Sequence, residues 1–227
     1  MISKEKNLLR KWLAEKEFLT LFDIPKIESF GNKYFHNTKP LYSTYEALLQ
    51  DETIRNDTID SVPAIAKKED GTRILHISED DEIILTDENM KELLSGILDI
   101  QEQILPLGTV VDLNKDIFAR EIPQIRDMEF LRVVITHRFL AYLDNVYYPY
   151  AGVIYPIGML GRTEFLHFSY SMIDNVVHKG FSDESEFEYV IAMKNELIIN
   201  RKMHSVGFAC EHELSRLAEI LRGEQNG

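Results

Sequence analysis

At Pro106 the hydrophobic patterning of this chain changes period, and that change limits the folds open to it. Before it, apolar residues recur every three or four positions; after it they fall in short β-branched runs bounded by Gly, Pro and Asp. The text "GTVVDL" (108–113) is a short strand, "FLRVVITHRFLAYL" (130–143) a longer one, and "YAGVIYP" (150–156) a third. "EFLHF" and "NVVHKGF" add two more, separated by one helical turn at "SYSMID". Strands are expected near 108–113, 130–141, 149–155, 164–168 and 175–180. Their alternating apolar residues and short links predict antiparallel pairing. From Ser182 the helical period returns in "ESEFEYVIAMKNELI" and "EHELSRLAEILRG", the latter with Leu214, Leu217, Ala218 and Leu221 on one face. The fold class is therefore α+β. A helix-rich region with one hairpin is expected over 1–103. An antiparallel β module (104–181) followed by two helices is expected over 104–227.

The first region reads as three helices and a hairpin. Leu8, Leu9, Trp12, Leu13 and Leu19 give an amphipathic opening helix ending before Pro25. "STYEALLQ" is a second helix, with Ser43 and Glu46 in the spacing of a capping box. In "VPAIAKKEDGTRILHIS" (62–78), Asp70-Gly71 supplies the positive φ of a tight hairpin turn. Thr86 caps a third helix, whose buried stripe is Met90, Leu93, Leu94, Ile97 and Leu98. The charged segment 114–129, interrupted by Pro123, is longer than most connections and is expected to be a mobile loop.

Composition narrows the partners. The formal charge of −13 lacks the Lys/Arg clustering that a phosphate backbone requires, so no nucleic-acid partner is expected. Lys+Arg against Asp+Glu is 13 to 21 over residues 1–104 and 12 to 17 over 105–227, so both parts are acidic. This suits solubility, or attraction to a basic partner. No apolar run approaches the roughly 20 residues of a membrane span, and the charged N-terminus does not read as a signal peptide. A single cysteine, Cys210, fits a reducing compartment, and a cytoplasmic location is expected.

Chemistry is sparse. The histidines are scattered, and on a helix Cys210 and His212 point about 200° apart, so no metal site is expected. His167 reads as a core or edge histidine, and Asp80-Asp81-Glu82 as a solvated turn. No P-loop lysine follows the glycines and no GxSxG motif occurs. No catalytic residue and no cofactor is expected, and an enzyme of unknown reaction is the third-ranked reading.

The stretch "YYPYAGVIYPIGMLG" (147–161) holds four tyrosines, two prolines and three glycines. Tyr155-Pro156-Ile157-Gly158 reads as a turn with Pro second and Gly fourth. Two readings of the tyrosines stay open: a hairpin packed on its own sheet, or a contact surface. In the second, a partner would meet Tyr148, Tyr150, Tyr155, Ile157 and Met159, framed by Phe118 and Ile122 of the charged loop.

Three ordered pieces, "ILPLGTVVDL" (104–113), "YAGVIYPIGMLG" (150–161) and "FLHFSYSMIDNVVHKGFSDESEFEY" (165–189), resemble one family. It is a domain of unknown function, DUF4176, of Gram-positive bacteria, and the resemblance spans about residues 104–190. Family members often carry an acidic residue where this chain has Ile157, and a shorter connection at 114–129. Genes of the family commonly lie among those for type VII secretion and LXG-type toxins. The resemblance thus implies a chaperone or adaptor that binds a cognate secreted toxin or its targeting segment. The alternative is an immunity protein that neutralises that toxin. The family offers no catalytic residues to carry over.

Overall fold

The computed structural model describes residues 2–54, 62–78, 80–119, 125, 126, 128–143, 145–158 and 165–224. The fold is α+β, with two antiparallel sheets and helices before and after the larger one. The chain divides into two compact units, Met1–Gln103 with Ile198–Asn200, and Ile104–Leu197 with Arg201–Gly227.

In the first unit α1 (Ile2–Ala14) buries Leu8, Leu9, Trp12 and Leu13 on one face. The helix stops well short of Pro25, which instead lies in the first turn of a further helix, α2 (Asp23–Asn32). There the missing N–H of proline has no intrahelical acceptor to lose, so proline is tolerated. Thr20 and Asp23 lock the entry: the Thr20 N–H donates to Asp23 Oδ2 at 3.0 Å, and the Asp23 N–H donates to Thr20 Oγ1 at 3.3 Å. The next helix, α3 (Lys39–Leu49), starts a turn earlier than its sequence suggests, with Pro40 in its first turn. Ser43 is consequently interior; its hydroxyl donates to Lys39 O at 3.4 Å instead of capping.

The hairpin forms as its turn residues dictate. Strand β1 (Ile65–Lys67) pairs antiparallel with β2 (Arg73–His76), and Gly71 takes φ +86° while Asp70 Oδ1 accepts from the Thr72 N–H at 2.9 Å. A third strand, β3 (Glu82–Leu85), completes the sheet in the order β1-β2-β3. Thr86 then caps α4 (Asp87–Gln101) through the Asn89 N–H at 3.2 Å. Met90, Leu93, Leu94, Ile97 and Leu98 are all buried.

The second unit is built on a six-stranded sheet. Its strands are β4 (Val110–Leu113), β5 (Leu131–Ala141), β6 (Val146–Ile154), β7 (Leu166–Phe168) and β8 (Ile173–His178), in the order β7-β6-β5-β4-β8 and antiparallel throughout. A two-residue strand, β9 (His204–Ser205), pairs parallel with the start of β6. A short helix, α5 (Lys115–Phe118), follows β4, and a 3-10 turn at Tyr170–Met172 joins β7 to β8. Helix α6 (Glu184–Lys194) continues into a π-helical turn at Asn195–Asn200, and α7 (Glu211–Glu224) follows β9. Val146 packs with Leu143, Val206 and Leu217, so α7 covers this end of β6. Leu214 is exposed, because the buried stripe of α7 passes through Leu217.

Candidate functional site

One end of the six-stranded sheet gathers the exposed apolar side chains nearest the tyrosine-rich stretch. The pairs Leu113↔Leu131 and Val133↔Ile154 bring the end of β4, the start of β5 and the end of β6 to the same edge. Beyond Ile154 the Tyr155 N–H donates to Arg132 O at 2.8 Å, extending the ladder by one residue. The Gly158 N–H then donates back to Ile154 O at 2.8 Å and closes the turn. Gly158 takes φ +65°, a region that favours glycine, and the Tyr155-Pro156 peptide is cis.

This turn lifts Tyr155 and Ile157 into solvent, 55% and 44% exposed. Phe130, one residue before β5, is 54% exposed and stands two residues before Arg132, whose carbonyl accepts from Tyr155. The Arg132 guanidinium stands 5.6 Å from the centre of the Phe130 ring and forks onto Asp112, Nε to Oδ1 at 2.8 Å and Nη2 to Oδ2 at 3.1 Å. The Asp112 carboxylate raises the arginine pKa, so the cation is fixed at all working pH. Alternation along "FLRVVI" carries the signal for Phe130: Leu131, Val133 and Ile135 turn inward, leaving Phe130 on the opposite parity.

The remaining residues expected at a contact surface divide. Tyr150 is fully buried and cannot meet a partner; its hydroxyl accepts from the Leu105 N–H at 3.0 Å and its ring stacks on Phe168. Tyr148 is half-buried against Tyr142 and His167. Phe118 points inward from α5, while its neighbour Ile117 is exposed. Met159 and Ile122 lie outside the described residues. The described part of 114–129 is tied down: Asn114 caps α5 through the Asp116 N–H at 3.1 Å, Lys115 Nζ donates to Met128 O at 3.0 Å, and Ile125 is buried.

Tyr147 and Tyr150 are core because β6 is an inner strand with cover on both faces. Tyr147 packs near Phe139, and Gly152 lets β5 approach so closely that a Cβ there would lie 2.4 Å from Val134 O. Tyr150→Phe is expected to lower stability by about 1–2 kcal/mol, since it strands the buried Leu105 N–H. Thermal melting checks this, and partner binding should be unchanged.

His167 is half-buried, as a core or edge histidine should be. Its Nε2 lies 2.9 Å from Tyr142 Oη, and burial pushes its pKa down. Near the start of α7, Glu213 Oε2 accepts from the Cys210 N–H at 2.8 Å and lies 3.3 Å from His204 Nε2. Among the described residues no group of three or more His, Cys, Asp or Glu is arranged to hold a metal ion.

Among the described residues no helix is long and apolar enough to cross a membrane. No curated protein and no solved structure matches the chain. Residues 104–189, which carry β4 to β8 and the start of α6, match the model of the family described as Domain of unknown function (DUF4176).

Proposed function

We propose that this chain is a non-catalytic binding protein that acts in the cytoplasm as chaperone or adaptor for the secreted toxin of a type VII secretion locus. The observation behind its binding role is the apolar surface at the sheet end, where Tyr155 and Ile157 project from a closed turn beside Phe130 and its arginine. Aromatic side chains held on a hydrogen-bonded scaffold provide contact area with little ordering entropy left to lose. The secretion assignment rests on the resemblance carried by residues 104–189.

Tyr155→Ala tests the surface. Truncating a hot-spot aromatic typically costs about 2 kcal/mol, roughly a thirtyfold loss of affinity. Because the ring is half in solvent, the melting temperature should stay within a few degrees. The assay is co-expression with the adjacent toxin and quantitative pull-down. Retention that is equal for parent and variant sinks this surface; no retention, with toxin export intact after gene deletion, sinks the chaperone role.

The net charge of −13 favours one other reading, an immunity protein that captures a basic toxin domain. Expressing the toxin's catalytic domain alone separates the two. Rescue of growth by this chain supports immunity, whereas a chaperone of the targeting segment leaves the cells poisoned.

A further inference from the structure

The two edges of the six-stranded sheet are unlike. Beyond β6 the edge is shared by β7 and β9, three and two residues long, and Leu166 and Phe168 of β7 are buried. Beyond β4 the edge is β8, six residues long, with every residue from Asp174 to His178 exposed. Val176 lies opposite the buried Val111, so apolar surface runs out past its cover. Val177 is exposed as well, and Phe181, just beyond the strand, is 82% exposed. Gly180 is fastened to the sheet by its N–H, which donates to Thr109 Oγ1 at 3.0 Å, so Phe181 leaves from a fixed point.

The order of charges along this edge identifies what fits it. Asp174 stands at one end, Val176 and Val177 in the middle, and His178 and Lys179 at the other end. A two-fold axis through Val176 sets the strand antiparallel to a second β8. Val176 then faces Val176, and each Asp174 faces His178 of the other copy, twice over, with the Lys179 ammonium one residue further along. Parallel pairing would set Asp174 beside Asp174. We infer that β8 is a self-complementary edge through which two copies of this chain associate, antiparallel, into one continuous sheet. The register against β4 slips at Asp174 and at Val177, and such bulges twist an edge and shorten the ladder it can offer. The contact is therefore small and the association weak and reversible, with a dissociation constant on the order of 100 µM.

Sedimentation equilibrium of the intact chain from about 10 µM to about 1 mM tests this range. A reversible monomer–dimer equilibrium is expected. Asp174→Lys and Lys179→Asp should each weaken it about tenfold, since at both ends of the ladder an attraction between Asp174 and the nearby Lys179 of the other copy becomes a repulsion. Mixed in equal amounts, the two variants should recover dimer, because lysine in one copy then lies near aspartate in the other at both ends. All these positions are exposed, so unchanged melting curves certify the variants. A chain that stays monomeric at about 1 mM, or variants that dimerise as the parent does, overturns the proposal. So does a mixture that fails to recover. β8 amides that gain exchange protection only when another protein is added would assign the edge to that protein and overturn self-pairing.

Discussion

Gly180→Ala is expected to destabilise the sheet unit by about 3 kcal/mol, through overpacking against backbone and the loss of a hydrogen bond. A Cβ at this position would lie 2.1 Å from Leu107 O, 2.9 Å from Thr109 N and 3.0 Å from Leu107 C, all of them main-chain atoms. That segment has no room to retreat. The Gly108 N–H donates to Ile135 O and the Ile135 N–H to Thr109 O, each at 2.9 Å, while the buried Thr109 hydroxyl donates to Pro106 O at 2.7 Å. The methyl must therefore push residues 178–181 outward, breaking the Gly180 N–H bond to Thr109 and loosening the end of β8. A fall in melting temperature of roughly 10 °C is the expected reading. Gly158→Ala is the contrast: among the described residues, its chain neighbours aside, no atom lies within 4 Å of the added methyl, and the φ of +65° opposes it at about 1 kcal/mol. Equal falls for the two variants would show that close packing at Gly180 is not what holds this corner.

The elements that could be read from sequence alone are those whose cause is local. Thr86 caps α4 and Asp70-Gly71 turns the first hairpin because both signals act within four residues. Five of the six strands of the larger sheet announced themselves by alternation, and α4 by a stripe of five buried residues. What was illegible depends on distant partners. Pro25 reads equally well as the end of one helix or the first turn of another, and only the packing of Ile27 and Phe30 in α2 decides between them. Strand β3 is four residues long after an acidic turn and exists by pairing with β2. β9 has two residues and no period of its own; β6 supplies its ladder.

The tyrosine stretch shows the same limit at the site. Alternation separates Tyr148 and Tyr150 from Tyr147, but it does not tell which face is wet. Here both faces of β6 are largely covered, so Tyr147 and Tyr150 are core, and exposure begins only where the strand ends at Tyr155. The residues that remain available to a partner are those at the turn, together with Phe130 and Ile117, which come from other segments. A surface assembled from strand ends is set by sheet register, and register is a property of pairs of strands.

Sheet and helix are joined in the second unit by a buried ion pair, and breaking it gives the other large expected effect. Arg138 of β5, with only 4% of its side chain exposed, forks onto Glu186 of α6: Nη1 meets Oε1, and Nη2 meets Oε2 at 3.1 Å. The guanidinium also lies 5.2 Å from the Tyr189 ring centre, one helical turn along α6. Among the described residues nothing accepts from its Nε, so the arginine keeps part of its desolvation penalty uncompensated. Arg138→Met removes the cation, leaves a mostly buried carboxylate without its partner, and should lower stability by about 3–4 kcal/mol. Glu186→Gln alone leaves the more deeply buried charge unpaired and should be comparably harmful. The double variant, Arg138→Met with Glu186→Gln, should recover more than half of the loss, because neither buried charge remains. Denaturant melts of the three variants check this. If the double variant is as unstable as the sum of the singles, the pair acts through packing on Tyr189 and Phe139 rather than through charge.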